Sequence, residues 1–541
     1  MQLVLLEISG HIAVGNRACG EFCRLCHTIF IYWAKTYCMA KLASHSVQPD
    51  HTAIAHRLHV QLTELRGTIA ADADAMLASW RPSIKRTEFL ASAANLASYL
   101  AFRKADVRPL QIELSALGLS SLGRCEAQVL ASVDALLASL ARIAALDGYP
   151  YPSLVDFSIG KNLLNEQQSN IFGKDPDGPH TRIMVTLPTQ AADDPAMIRS
   201  YIVAGADCVR INCAHDNAEI WARMIAITRD SAKEFERDVR VAMDLGGPKI
   251  RIAKVGTDAK IRLMRGDRFA LTDSLPERSK FVEATLSHPE LLASLKEGSE
   301  VWINDGKIGA RVTEKSGNRA VLTVFSAREK GERLKPEKGV NFPGAEIPLP
   351  ALTEEDITNL DFVTEHADIV GYSFVQTPQD VRCLVDEIAA RCTSGPLPAL
   401  MLKIETPLAV RNLPRLIVQA GGLMPVTVMI ARGDLAVEIG LERLSEMQEE
   451  ILWLCEAAHV PVVWATQVLE SLVRDGSASR AETTDAAMGQ RAECVMLNKG
   501  PHLAQAVLFL DQILRRMDRH QSKKSSHLAP LQSWQDSQIL V

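Results

Sequence analysis

A chain of 541 residues exceeds one ordinary domain, so roughly two to four are expected. An apolar fraction of 47% with 23% charged residues describes a globular chain, and a net charge of −6 leaves no basic footprint for nucleic acid. The 11 cysteines form no paired framework, which suits a reducing cytoplasmic compartment.

The first 38 residues differ in character from the remainder of the chain. They hold Cys19, Cys23, Cys26 and Cys38 and an apolar run, Ile29-Phe30-Ile31-Tyr32-Trp33. That run is far shorter than the ~20 residues of a membrane helix, and no small-residue cleavage site succeeds a charged start. No membrane partner is expected. The spacing Cys19-x3-Cys23-x2-Cys26 matches a radical-type iron–sulfur motif, but such a cluster follows a first barrel strand, and here barrel-like text begins far downstream. Translation is expected to begin at Met39, which makes residues 1–38 a dispensable extension.

Residues 39–146 read as a helical domain. Leu58, Leu62, Leu65 and Ile69 recur at helical spacing, as do Phe89, Ala93, Leu96 and Leu100, and then Val129, Val133, Leu136, Leu137 and Leu140. Ser120 and Ser121 are candidate N-caps for the last of these helices. The segment carries no catalytic constellation and is expected to dock or assemble. Residues 147–180, rich in Gly, Pro and Asn, read as a linker.

Apolar runs of strand length then alternate with helical text. They are Arg182–Leu187, Asp207–Asn212, Val239–Asp244, Asp368–Phe374, Ala399–Leu402, Val428–Ala431, Pro461–Trp464 and Glu493–Asn498. This alternation predicts an α/β chain, a (β/α)8 TIM barrel over 181–252 and 339–520. Residues 253–338 interrupt it with little helical periodicity; Val301–Gly306 reads as a strand and turn, and Arg311–Phe325 as a hairpin. An inserted β-rich lid domain at the catalytic end is expected. Residues 521–541 read as a frayed polar tail.

Three successive strands end in chemistry. Lys403-Ile404-Glu405 closes the fifth, Arg432-Gly433-Asp434 the sixth and Ala465-Thr466-Gln467 the seventh. All would lie at the C-terminal mouth of a barrel, where catalytic residues sit. Two carboxylates, Glu405 and Asp434, make a hard-cation site for Mg2+ that leaves room for substrate oxygens.

These motifs resemble those of the pyruvate kinase family, and the resemblance runs from about Thr181 to Leu497. It implies phosphoryl transfer from phosphoenolpyruvate to ADP, giving pyruvate and ATP, in glycolysis. It casts Lys403, Thr466 and Arg210 as catalytic, and Glu405 and Asp434 as ligands of Mg2+, for which Mn2+ can substitute. Arg251 and the hinge lysine Lys338 would reach the nucleotide, Asn212 and His215 would line its site, and Gly433 and Asp434 would hold the substrate carboxylate. A homo-oligomer is expected. The match has departures. Ala214 and Leu245 stand where the family has a serine and a threonine that, with the aspartate matched by Asp244, ligate K+. Lys249 stands where an acidic residue follows Gly-Pro. K+ is therefore not expected to be required, with the Lys249 ammonium as its surrogate. Asn498-Lys499-Gly500-Pro501 replaces the family's Ser-Gly-Glu-Thr run. No text resembling the C-terminal regulatory domain comes after it, so activation by fructose 1,6-bisphosphate at that domain is not expected.

Two other readings stand beside this one: a metal-dependent aldolase or lyase acting on pyruvate enolate, and a non-catalytic phosphoenolpyruvate-binding regulator. The lid and Lys338 favour the kinase over an aldolase, which has no nucleotide to cover. The joint presence of Lys403, Glu405, Asp434 and Thr466 favours it over a regulator.

Overall fold

A computed structural model describes residues 50–174, 180–256, 262–277, 282–344, 349–392, 395–523 and 525–526. The cysteines before Met39 and most of the polar tail lie outside the described residues. Five helices come first: α1 (His51–Trp80), α2 (Leu90–Phe102), α3 (Arg108–Ala116), α4 (Val129–Ile143) and α5 (Leu154–Phe172). The periodic apolar positions are the ones buried, including Leu58, Leu62, Ile69, Leu96, Val133 and Leu140. Neither Ser120 nor Ser121 caps α4; its first amide, on Val129, is taken by the Asn95 side chain of α2 at 3.0 Å.

The segment read as a linker contains α5. Ser153 and Asp156 form a reciprocal capping box that starts it, an N-terminal signal that the surrounding Gly, Pro and Asn residues obscure. At the other end Ile171 and Phe172 enter the cluster that fills the barrel interior. Gln168 donates from Nε2 to the carbonyls of His180 and Glu493, at 2.8 and 2.9 Å. Helix α5 is thus a plug under the barrel floor.

The barrel strands are β1 (Arg182–Thr186), β2 (Cys208–Asn212) and β3 (Arg240–Asp244). The excursion comes next, with β4 (Ile252–Val255), β5 (Arg262–Leu263), β6 (Arg268–Thr272), β7 (Val282–Leu286), β8 (Glu300–Ile303), β9 (Ile308–Ser316), β10 (Arg319–Ser326), β11 (Glu332–Arg333) and β12 (Val340–Asn341). The barrel resumes with β13 (Ile369–Tyr372), β14 (Ala399–Ile404), β15 (Val426–Ala431), β16 (Val462–Ala465) and β17 (Cys494–Leu497). It closes in the order β1-β17-β16-β15-β14-β13-β3-β2 through parallel pairs. Strands β12, β8, β9, β10, β6, β7 and β4 form a separate seven-stranded sheet over its own core of residues such as Phe269, Leu271, Val301 and Leu322.

Period-two alternation governs each barrel strand. In β14, Ala399 and Met401 join the interior cluster, whereas Leu400, Leu402 and Ile404 join the outer core under the helices. That outer core also contains Leu58, Phe89 and Val133, so the N-terminal helices are packed onto the barrel as an extra layer. The polar tail begins anchored: Gln521 accepts at its carbonyl from Gln490 Nε2 at 3.1 Å, and Lys523 pairs with Glu493. No described helix is long and apolar enough to cross a membrane.

Candidate active site

Interior columns of the strands end in polar groups at the C-terminal mouth. Ala399 and Met401 are continued by Lys403, Cys208 by Arg210 and Asn212, and Ala242 by Asp244. Arg210, Asp244, Lys403 and Glu405 form one network with the strand-tip serine Ser373. Arg210 Nε donates to Asp244 Oδ2 at 2.7 Å, and its Nη1 reaches Thr186 Oγ1 at 3.3 Å. Lys403 Nζ lies 2.6 Å from Ser373 Oγ, 3.1 Å from Glu405 Oε1 and 3.6 Å from Asp244 Oδ2. Asp244 Oδ1 lies against Gly371, where a β-carbon would come within 2.0 Å of it, so only glycine fits opposite this carboxylate.

The charges set one another. Burial alone would raise the Asp244 carboxyl, but Arg210 and Lys403 hold it below its ordinary value. Burial alone would lower the Lys403 ammonium, but Glu405 and Asp244 keep it above its ordinary value. The neighbouring carboxylates thus favour the charged form of Lys403. Burial raises the Glu405 carboxyl; the Lys403 ammonium opposes the rise and the like charge of Asp434 adds to it.

The barrel helices after α5 include α6 (Pro195–Ala204), α7 (Ala218–Glu234), α8 (Glu354–His366), α9 (Pro378–Arg391) and α10 (Pro407–Gly421). Asp434 lies in the first turn of the next, α11 (Arg432–Ile439). Gly433 donates its amide to Thr466 Oγ1 at 2.7 Å, which brings two expected carboxylate-binding groups together. Arg432 fixes that turn from behind, donating to the carbonyls of Ala465 and Thr466 at 2.9 and 2.7 Å while pairing with Asp485. Thr466 and Gln467 have φ of +68° and +56°, a left-handed conformation that non-glycine residues, and β-branched Thr above all, rarely adopt and that recurs at functional turns.

Among the described residues no group of three or more His, Cys, Asp or Glu converges as a metal site. The like charge of the half-buried Asp434 nonetheless bears on the buried Glu405, and the hard oxygens of the two suit a small divalent cation that takes its other ligands from substrate and water. The residues present fit such an ion.

Asn212 and His215 line a cavity of about 360 Å³ together with Thr186, Arg210, Glu470 and Lys499. Burial pushes the His215 imidazole below its ordinary value, and the neighbouring cations Lys499 and Arg251 push the same way. Arg251 and Lys338 lie on the two adjacent segments that join the inserted sheet to the barrel. Arg251 Nη1 donates to the Glu337 carbonyl at 3.0 Å, and the Lys338 carbonyl accepts from the Ile252 amide at 2.9 Å. Lys249 does not face Asp244. Its Nζ lies 3.2 Å from Asp434 Oδ1, a different carboxylate from the one expected to share the K+ role.

Sequence reasoning passed over Ser373, Thr186 and Lys499. The available signal was their position at or just past strand ends, in the rows that already held Arg210, Lys403 and Thr466.

Residues 179–502 match the family model described as pyruvate kinase, barrel domain. A pyruvate kinase of Methylorubrum extorquens is 36% identical over 346 residues, covering 63% of this chain and 69% of that protein. One from Agrobacterium vitis is 33% identical over 341 residues, covering 61% and 67%. One from Thermococcus litoralis is 32% identical over 364 residues, covering 66% and 73%. With the barrel, the inserted sheet and the mouth residues all in the matched span, the chain belongs to the pyruvate kinase family.

Proposed function

We propose that the chain transfers the phosphoryl group of phosphoenolpyruvate to ADP, releasing pyruvate and ATP, in the cytosol. The observation that carries this reading is the buried array at the mouth: a lysine ammonium between two carboxylates, beside a guanidinium, with a further carboxylate and a threonine hydroxyl on the adjacent turns. Phosphoryl transfer asks for positioning and neutralisation of charge more than for covalent help from the protein.

Arg210 would grip the phosphoryl oxygens, since a guanidinium is planar, permanently charged and bidentate. A β-phosphate oxygen of ADP attacks phosphorus while the bond to the enol oxygen breaks, leaving pyruvate enolate. Lys403 would stabilise the charge on the group in flight, preorganised by its carboxylate neighbours. Gly433, Asp434 and Thr466 would hold the substrate carboxylate. A water beside Thr466 would deliver the proton that the enolate carbon must gain. Asn212, His215, Arg251 and Lys338 would take the nucleotide, with the inserted sheet closing over it to exclude water. Glu405 and Asp434 would hold Mg2+, which supplies Lewis-acid neutralisation of phosphoryl oxygens when bound. Lys249 would add positive charge next to Asp434, so that Mg2+ is required and K+ is not.

The test is pyruvate formation from phosphoenolpyruvate with and without ADP. Strictly ADP-dependent formation is expected. Pyruvate-dependent carbon–carbon cleavage or condensation without nucleotide would favour the lyase reading, and binding without turnover the regulator.

A further inference from the structure

One short turn touches both Lys403 and Glu405. Ile369 belongs to the barrel interior cluster, and alternation carries that column through Gly371 to Ser373. Ser373 is buried, and its hydroxyl donates to the Leu245 carbonyl at 2.7 Å. With its proton committed there, the oxygen faces Lys403 only as an acceptor, at 2.6 Å. The next residue, Phe374, is left-handed with φ of +56°. That conformation aims its amide at Glu405 Oε2, 2.6 Å away.

The turn is itself fixed. On one side a β-carbon on Gly247 would come within 3.0 Å of Ser373 Cβ and 3.1 Å of the Phe374 ring, so the strand-three loop presses against it. On the other side, Asp380 of α9 accepts from the amides of Gln376 and Thr377 at 2.9 and 2.8 Å, and the Tyr372 hydroxyl donates to the Asp380 carbonyl at 3.2 Å. A non-glycine residue held left-handed and braced on both flanks is the kind of strain a functional turn retains.

We propose that the Ser373–Phe374 turn is the positioning element of the site: the serine hydroxyl fixes the Lys403 ammonium while the following amide fixes the Glu405 carboxylate. Neither residue is assigned a reacting role. Without the hydroxyl, Lys403 keeps only its two carboxylate neighbours and settles toward them, away from the group in transfer. The inference rests on the phosphoryl-transfer reading above.

Ser373→Ala and Ser373→Thr are compared with the parent. A displacement near 1 Å costs on the order of 100-fold, so Ser373→Ala is expected to lower kcat roughly 10- to 100-fold. KM for both substrates, and Mn2+ affinity followed by water proton relaxation, should stay within about threefold, because Lys403 acts in the transition state and Glu405 keeps its amide. Ser373→Thr, which restores the hydroxyl, should recover most of kcat. A crystal structure of Ser373→Ala should show Lys403 Nζ moved toward Glu405 and Asp244. An unchanged kcat, or parallel losses of kcat, KM and Mn2+ affinity, would overturn the proposal. If the parent forms no pyruvate, the kinase reading fails, and the crystallographic position of Nζ still decides this one: displacement upholds it and an unmoved Nζ overturns it.

Discussion

Asp244 governs how much positive charge the mouth can hold before substrate arrives. It faces both Arg210 and Lys403, which keeps two cations side by side that would otherwise repel. Lys249 adds a third cation on Asp434. Under the proposed function this ammonium, a compact charge on a flexible stem, takes the role of a bound monovalent cation. Initial rates in tetramethylammonium buffer should therefore change little on adding KCl. A stimulation of about tenfold, worth ~1.4 kcal/mol, would contradict this. Lys249→Glu should lower the potassium-free rate, and an unchanged rate would remove Lys249 from that role. Most of these groups were legible in the sequence because each ends an apolar run, where a buried strand delivers whatever comes after it. The partner of Lys249 was not, because Gly247 and Pro248 set the direction of the loop and sequence gives no direction. Ser373 was hidden for a related reason: a serine after a strand reads as a polar end until β13 is seen lying beside β14.

Between elements, the helical layer is tied to the barrel by a buried imidazole. His459 Nδ1 lies 3.0 Å from Ser92 Oγ on α2, and Nε2 lies 2.9 Å from the Ala127 carbonyl. The carbonyl can only accept, so Nε2 carries the proton and Nδ1 accepts from the serine. Burial pushes this imidazole below its ordinary value of 6.5. The unfolded chain takes up a proton below about pH 6.5 that the fold resists. Stability is therefore full above that pH and declines as pH falls. Thermal melts between pH 7 and 5 should show a falling midpoint, and His459→Gln should flatten the slope. An equal slope in the variant would show that His459 is not a source of it. The helices of this layer were readable from their 3.6-residue periodicity, as in Leu58, Leu62 and Ile69. Their docking was not, because the apolar face of a helix does not name what it meets. Helix α5 was lost to composition, although Ser153 and Asp156 hold the spacing of a capping box.

The described residues form a closed parallel barrel with a separate β-sheet inserted after its third strand, a helical plug beneath it and a helical layer on its flank. The inserted sheet leaves and returns through adjacent segments, where Arg251 pairs with Gly339 in an antiparallel bridge. It touches the barrel through Asn341 Nδ2, which donates to Glu438 of α11 at 3.1 Å, on the helix that carries Asp434. The inserted sheet and the mouth thus share one element. The proposed function depends on the mouth moving a phosphoryl group under the charge of Lys403. Phosphorus NMR of a mixture of phosphoenolpyruvate, ADP, Mg2+ and enzyme reads that transfer itself. The phosphoenolpyruvate resonance should decay as the γ-phosphate resonance of ATP grows, with no free phosphate. In Lys403→Met, confirmed to be folded at the assay temperature, the transfer should slow by at least 100-fold, about 2.7 kcal/mol or more in the barrier. Transfer at the parent rate in that variant, or inorganic phosphate as the product of the parent enzyme, would contradict the assignment.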